Sequence, residues 1–220
     1  MRQLLLNLAT QPLQTLAGFV PGRNAELLAV LNKLQQVSPV GERFIYIWGE
    51  AGAGKTHLLH AMASAGIYVD VSVDKRLDIT LSDKPIVAID NVDYVGEEGA
   101  IDLFNIYNAM KDGQGVLLVS GQCPAGQLNL RRDLVTRLAW GLAFQVHSLT
   151  DEEKLTALCT RAKDKGFELK PDVANYLLTH WRRDMPSLFS ALDELDKYSL
   201  ETKRLITIPL LREAIALRNG

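Results

Sequence analysis

From Phe44 onward two hydrophobic patterns alternate along the chain. Short, nearly unbroken apolar runs occur at "FIYIW" (44–48), "GIYVDV" (66–71), "PIVAID" (85–90), "GVLLVS" (115–120) and "AFQVH" (143–147). Between most of them apolar residues recur at helical spacing, notably in "THLLHAMASA" and "AIDLFNIYNAM". Ahead of the first run, "RNAELLAVLNKL" sets Leu27, Val30, Leu31 and Leu34 on one helix face. A strand that is apolar at consecutive positions is covered on both faces. The alternation therefore predicts an α/β domain with a parallel five-stranded sheet between helices.

After His147 the strand pattern ends. Thr150 followed by Glu153 is a capping box that opens the helix "DEEKLTALCTRAKDK", and Gly166 closes it. Pro171 suits the first turn of the next helix, "PDVANYLLTHW". Two more helical stretches, "MPSLFSALDELDKYSL" and "PLLREAIALRN", complete a small four-helix lid. The expected organisation is an N-terminal segment 1–18, an α/β base 19–149 and an α-helical lid 150–220.

Composition narrows the function classes. A net charge of −2 gives no general attraction to phosphate backbones, and residues 151–220 balance twelve Lys/Arg against twelve Asp/Glu. Direct sequence-specific DNA binding is therefore not expected. Cys123 and Cys159 form no CxxC pair, which suits reduced structural thiols in the cytoplasm. There is no run of about 18 apolar residues for a membrane span. The start, "MRQLLLNLATQPLQTL", lacks the apolar core and cleavage site of a signal peptide.

The chemistry concentrates in "GEAGAGKT", a G-x-x-x-x-G-K-[ST] motif with Gly49, Gly54, Lys55 and Thr56, and with Gly52 between. Its context is the informative part: it follows an apolar strand and opens a helix. Glycines let backbone N–H groups face an anion, and the helix N-terminus adds positive potential. Lys55 would reach the β- and γ-phosphates of ATP or ADP, and Thr56 would ligate Mg²⁺. Asp90, ending "IVAID", is the expected partner of that metal. The next position holds Asn91, an amide that takes no proton, where many nucleotide hydrolases carry a second acid. His57 and His60 lie three apart on the following helix, without the further ligands a metal site needs, and read as packing or hydrogen-bonded residues. Phe19, Val20 and His57 complete the expected nucleotide contacts.

The phosphate loop, the Asp-terminated strand and the helical lid together resemble the AAA+ ATPases, and "GKTHLLHA" and "TRLAWGL" resemble the DnaA-related group. The shortened, Hda-type regulators of the replication initiator DnaA are similar along nearly the whole chain, through "FVPGRNAELLAVL", "IDNVD", "CPAGQLNL", "RLAWG", "DEEKLTAL", "KGFEL" and "SLFSALDELDKYS". The resemblance implies a bacterial, cytoplasmic regulator that is nucleoid-associated through the sliding clamp of DNA polymerase. It would promote hydrolysis of DnaA-bound ATP and so limit initiation of replication, with weak hydrolysis of its own and possible self-association. It implies that Gln3, Leu4, Leu6 and Leu8 in "QLLLNL" form the clamp-binding peptide. Leucines in apolar pockets contribute roughly 1.5–3 kcal/mol each, before the cost of ordering the peptide. It also implies that Arg137 is an arginine finger acting in trans, assisted by Arg131 and Arg132, and that Ser120 is the first sensor.

The sequence departs from a full initiator. No helix-turn-helix module follows the lid before Gly220, and about fifteen residues separate "YV" from "PIVAID", too few for the initiator's pair of helices that grips single-stranded DNA. Asn91 stands for the second acid, and Pro186 stands where the family has its second sensor, for which Arg182 or Arg183 are the available substitutes. Two other functions fit the same motifs. A self-sufficient, clamp-loader-like ATPase would need a base, for which Asp93 is the nearest acid. A DnaA-like adaptor would bind DNA directly and in a salt-sensitive way.

Overall fold

A computed structural model describes residues 14–35, 42–73, 76–77, 86–113 and 115–219. The clamp-peptide residues Gln3, Leu4, Leu6 and Leu8 lie outside the described residues. The chain divides into two compact units, Met1–Ser148 and Leu149–Gly220.

In the first unit every apolar run becomes a strand: β1 (Phe44–Trp48), β2 (Ile67–Asp70), β3 (Ile86–Asp90), β4 (Val116–Gly121) and β5 (Leu142–Gln145). They form one sheet in the order β2-β3-β4-β1-β5, and every pairing is parallel. The described helices of this unit are α1 (Ala25–Gln35), α2 (Lys55–Met62), α3 (Glu97–Asp112) and α4 (Arg132–Trp140). Strands β3 and β4 are buried at every position, while the edge strands β2 and β5 are only partly so. That difference follows from position, since an edge strand lacks one neighbour and part of its helix cover.

The two-residue period of a strand sends its side chains into two separate cores. On one face Tyr46, Val87, Ile89, Leu117 and Val119 pack with Leu103 and Ile106 of α3 and with Leu134 and Leu138 of α4. On the other, Ile45, Ile47, Ala88 and Leu118 meet Leu27 and Leu31 of α1 and Leu58, Leu59 and Met62 of α2. A sheet held from both sides has fixed strand ends, and the polar residues of interest sit at the ends of β1, β2, β3 and β4. Beyond Gln145 the chain no longer runs as strand. The buried side chain of Asn24 donates to the His147 carbonyl at 2.9 Å and accepts from its N–H at 2.8 Å. This amide thereby satisfies both backbone groups of His147, while the Val146 N–H still donates to the Trp48 carbonyl at 2.7 Å.

The second unit contains α5 (Asp151–Asp164), α6 (Pro171–His180), α7 (Met185–Thr202) and α8 (Ile208–Asn219). Both capping-box bonds are made: Thr150 Oγ1 accepts from Glu153 N–H, and a Glu153 carboxylate oxygen accepts from Thr150 N–H. Proline occupies the first turn of both α6 and α7, where its missing N–H costs nothing. Leu158, Leu177, Leu188, Leu192, Leu195 and Leu210 form the core. Asp193 of α7 is bonded by Arg161, at 2.8 Å, and by Lys165, at 3.2 Å.

Candidate functional site

The loop between β1 and α2 is shaped by two glycines. Gly54 adopts φ +101°, and a Cβ there would lie 2.7 Å from the Phe19 ring. Gly49 has φ +156°, and a Cβ there would lie 2.4 Å from the Val146 carbonyl oxygen. Gly52 is left-handed too, at +82°, but faces open space. Only glycine combines such angles with such close neighbours. Lys55 is buried, and its ammonium donates to the Gly49 carbonyl at 2.7 Å and to the Glu50 carbonyl at 2.9 Å. Burial pushes the Lys55 amine below its ordinary pKa, against the opposing pull of Asp90 and Asp93. Among the described residues no carboxylate forms an ion pair with it. A desolvated cation held by carbonyl dipoles beside a helix N-terminus suits a phosphate oxygen.

Asp90 is fully buried and takes four donors. One carboxylate oxygen accepts from Thr56 Oγ1 at 2.7 Å and from the Tyr68 hydroxyl at 3.0 Å. The other accepts from the Asn91 N–H at 3.0 Å and from Ser120 Oγ. A buried carboxylate is tolerable only when hydrogen-bonded to this extent. Thr56 and Asp90 thus place two hard oxygen donors side by side at the head of α2. Among the described residues no cluster of three or more His, Cys, Asp or Glu side chains could hold a metal. Such a pair suits Mg²⁺, which keeps water and takes phosphate oxygens in place of an all-protein cage.

Sequence reasoning missed Tyr68 and Asp70. Both belong to β2, and Asp70 lies beside Asp90 in register. Burial and the Asp90 carboxylate raise the Tyr68 pKa, so it remains a donor. Its ring stacks on His60 at 3.7 Å. Asp70 Oδ1 accepts from Asn91 Nδ2 at 2.9 Å, from Ser72 N–H at 2.9 Å and from Ser72 Oγ at 2.7 Å. Burial would raise the Asp70 pKa, but these bonds from Asn91 and Ser72 outweigh it and hold the carboxyl below its usual range. The polar residues of β2 carried no signal of their own, because their meaning depends on which strand becomes β2's neighbour. Asp93 is occupied elsewhere: it accepts from Gln122 N–H at 2.9 Å, bracing the loop after β4.

His57 has its Nε2 bonded to the Thr15 carbonyl at 2.8 Å. Its ring is tilted against Phe19 at 5.6 Å. Phe19 is thereby wedged between His57 and Gly54, with the half-buried Val20 next in the chain. Arg137 lies on α4, with its guanidinium 4.2 Å from the Phe104 ring centre and 4.9 Å from that of Tyr107. It donates to Asn108 Oδ1 at 2.9 Å. The neighbouring Arg131 is exposed and pairs with Asp133 at 3.2 Å, and Arg132 is exposed. In the second unit Arg183 is bonded to Asp151, Arg182 pairs with Asp184 at 3.2 Å, and Pro186 sits in the first turn of α7.

Three solved structures share this architecture. AMPPCP-bound DnaA from Aquifex aeolicus superposes with a TM-score of 0.67 at 19% identity, over 83% of this chain and 64% of that one. This chain therefore spans less than two thirds of the DnaA chain it matches there. Domain III of the Thermotoga maritima replication initiation protein DnaA gives 0.67 at 22% identity, over 94% and 95% of the two chains. The Thermotoga maritima RuvB Holliday junction branch migration motor gives 0.61 at 18% identity, over 94% of this chain and 72% of that one. At these identities the likeness is one of fold, and the fold is that of the AAA+ proteins. The second unit refines this assignment, because residues 151–215 match the family model described as the lid domain of Hda. The chain thus joins a first unit with the fold of DnaA domain III to a second unit that matches the Hda lid domain.

Proposed function

We propose that this protein is a nucleotide-holding AAA+ regulator that promotes hydrolysis of ATP bound to DnaA while docked on the DNA polymerase sliding clamp, so limiting initiation of replication. The observation that carries this reading is the Hda lid match over residues 151–215, joined to an AAA+ base. In the base, Lys55 exchanges backbone carbonyls for phosphate oxygens of ADP or ATP. Thr56 and Asp90 offer their oxygens to Mg²⁺, with Ser120 and Tyr68 keeping the Asp90 carboxylate in place. Bound Mg²⁺ would neutralise charge across the β- and γ-phosphates. Asn91 holds water without deprotonating it, so turnover in this chain's own site is slow and the nucleotide is mainly a structural ligand.

Arg137 supports action in trans through its chemistry. Among the described residues its partners are two aromatic rings and a neutral amide, and no carboxylate there forms an ion pair with it. Leaving such partners costs roughly 1–3 kcal/mol, which a phosphate on a neighbouring molecule readily outweighs. A finger supplied in trans is worth about 10³–10⁵ in rate. Gln3, Leu4, Leu6 and Leu8 supply the clamp peptide in this reading.

The test is turnover of DnaA-bound ATP in the presence of DNA-loaded clamp. Wild-type protein stimulates it, Arg137→Ala does not, and a Gln3→Ala, Leu8→Ala double change loses stimulation together with clamp pull-down. Stimulation by Arg137→Ala equal to wild type refutes the finger. Rapid clamp-independent hydrolysis by the purified chain, abolished by Lys55→Ala, would instead make it a self-sufficient ATPase.

A further inference from the structure

Strand β4 sends alternate residues to opposite faces of the sheet. Val119 packs in the core that holds Tyr46. Ser120 turns the other way, its hydroxyl donating to Asp90 and accepting from the Asn91 N–H at 3.0 Å. Gly121 returns to the Tyr46 face, where a Cβ would lie 2.1 Å from the Tyr46 hydroxyl oxygen and 3.3 Å from Asp93 Oδ2. The Tyr46 hydroxyl donates past this glycine to the Cys123 carbonyl at 2.6 Å. Asp93 Oδ2 accepts from the Gln122 N–H at 2.9 Å, and the Cys123 thiol lies 3.9 Å from Asp93 Oδ1. Tyr46 is buried, and burial together with Asp93 raises its pKa, so the hydroxyl remains a donor. All three residues after Ser120 are therefore held by one side chain of β1 and one from the turn after β3.

Resting on the nucleotide reading above, we propose that Tyr46 and Asp93 are positioning residues that set the Ser120 hydroxyl at Asp90, and through it the preference of the site between ATP and ADP. Gly121 ends β4, and a strand end without anchored backbone beyond it is free to twist. Here a rotation that withdrew the Ser120 hydroxyl would drive Gly121 against the Tyr46 oxygen and break the bonds to Gln122 and Cys123. Asp93 is thus an acceptor on the Gly121 side of β4, across the strand from the Ser120 hydroxyl and Asp90. Asp90, kept in place by Ser120, serves a Mg²⁺ that bridges the β- and γ-phosphates. ADP has no γ-phosphate, so a displaced Ser120 costs more affinity for ATP than for ADP.

Six full-length chains test this: wild type, Ser120→Ala, Tyr46→Phe, Asp93→Ala, Asp93→Asn, and the double change of Tyr46→Phe with Ser120→Ala. The readout is the ratio of Mg-ATP to Mg-ADP affinity, measured by displacement of a fluorescent ATP analogue, with urea unfolding to show that each chain is folded. Ser120→Ala should lower the ratio about 3–10-fold, the worth of one hydrogen bond. Tyr46→Phe and Asp93→Ala should lower it by a comparable factor. Asp93→Asn keeps an acceptor for the Gln122 N–H and should recover most of the loss. In the Ser120→Ala background Tyr46→Phe should change the ratio no further, a non-additivity that a merely structural role would not produce. An unchanged ratio in Tyr46→Phe, or effects of Tyr46→Phe and Ser120→Ala that add in full, overturns the proposal. So does an Asp93→Asn chain as impaired as Asp93→Ala, which would make the charge and not the acceptor the essential feature. A wild-type chain that binds no analogue sinks the nucleotide reading and this proposal with it. That failure is distinguishable, because it appears in the wild type before any variant is compared.

Discussion

Replacing Tyr68 by Phe removes one oxygen and leaves nearly everything else in place. The ring keeps its stack on His60 at 3.7 Å, so packing is conserved and the change isolates the hydroxyl. That hydroxyl donates at 3.0 Å to Asp90, whose side chain is fully buried. A hydrogen bond to a charged acceptor is worth about 1.5–3 kcal/mol, and Asp90 retains three donors, so the lower half of that range applies. The expected loss is about 1.5–2 kcal/mol. At 2–4 °C per kcal/mol for a chain of this size, the base should unfold about 3–8 °C earlier. Scanning calorimetry of the full chain measures the shift, and urea unfolding gives the free energy independently. A loss below about 0.5 kcal/mol would mean that the hydroxyl is not bonded to Asp90, and that the picture of a four-donor carboxylate at the sheet end is wrong.

The other predictions concern separate parts of the molecule. Gly54→Ala combines a left-handed φ of +101° with a Cβ 2.7 Å from the Phe19 ring. It should cost about 1–3 kcal/mol and weaken binding of a fluorescent ATP analogue at least 10-fold; unchanged affinity would refute the loop geometry. Arg137→Ala should destabilise the isolated chain by about 1–2 kcal/mol through loss of the contacts on Phe104 and Tyr107, measured by urea unfolding. An unaltered midpoint would show that the guanidinium is not seated there. Asp193 is drawn upward by burial but held below its ordinary pKa by Arg161 and Lys165. A depressed folded-state pKa contributes stability that is present above the unfolded value of about 3.9 and lost as pH falls through the folded one. The stability gap between wild type and Asp193→Asn should therefore be constant from pH 7 to about 5 and shrink below about pH 4. A gap that grows on acidification would refute the assignment.

The fold was legible because its signals are local. Phe44–Trp48 and Ile86–Asp90 are apolar without interruption, which only a two-sided cover explains, and Thr150 with Glu153 announces a helix start through bonds four residues can make alone. The glycine motif at 49–56 was visible for the same reason, being one contiguous stretch. The partners of Asp90 were not. Tyr68 and Asp70 look like ordinary positions of an edge strand until the order β2-β3-β4-β1-β5 sets them beside Asp90 and Asn91. No periodicity encodes that order. Asn91 illustrates the limit best. From sequence it is a missing acid, whereas in the fold it is an amide that a neighbouring carboxylate requires. His57, expected among the nucleotide contacts, bonds the Thr15 carbonyl and lies against Phe19, which belongs to the same expected set.

The space that a Cβ would need at Gly49 is filled by the carbonyl of Val146, far downstream in the chain. The curvature of the glycine-rich turn between β1 and α2 is thus moulded by the last stretch of backbone before the unit boundary. A fragment that carries the glycine motif but stops short of β5 would keep every signature residue and lose the die in which the turn is cast. On the nucleotide reading proposed above, substitutions around Val146, remote in sequence from the glycine motif, are expected to alter nucleotide affinity.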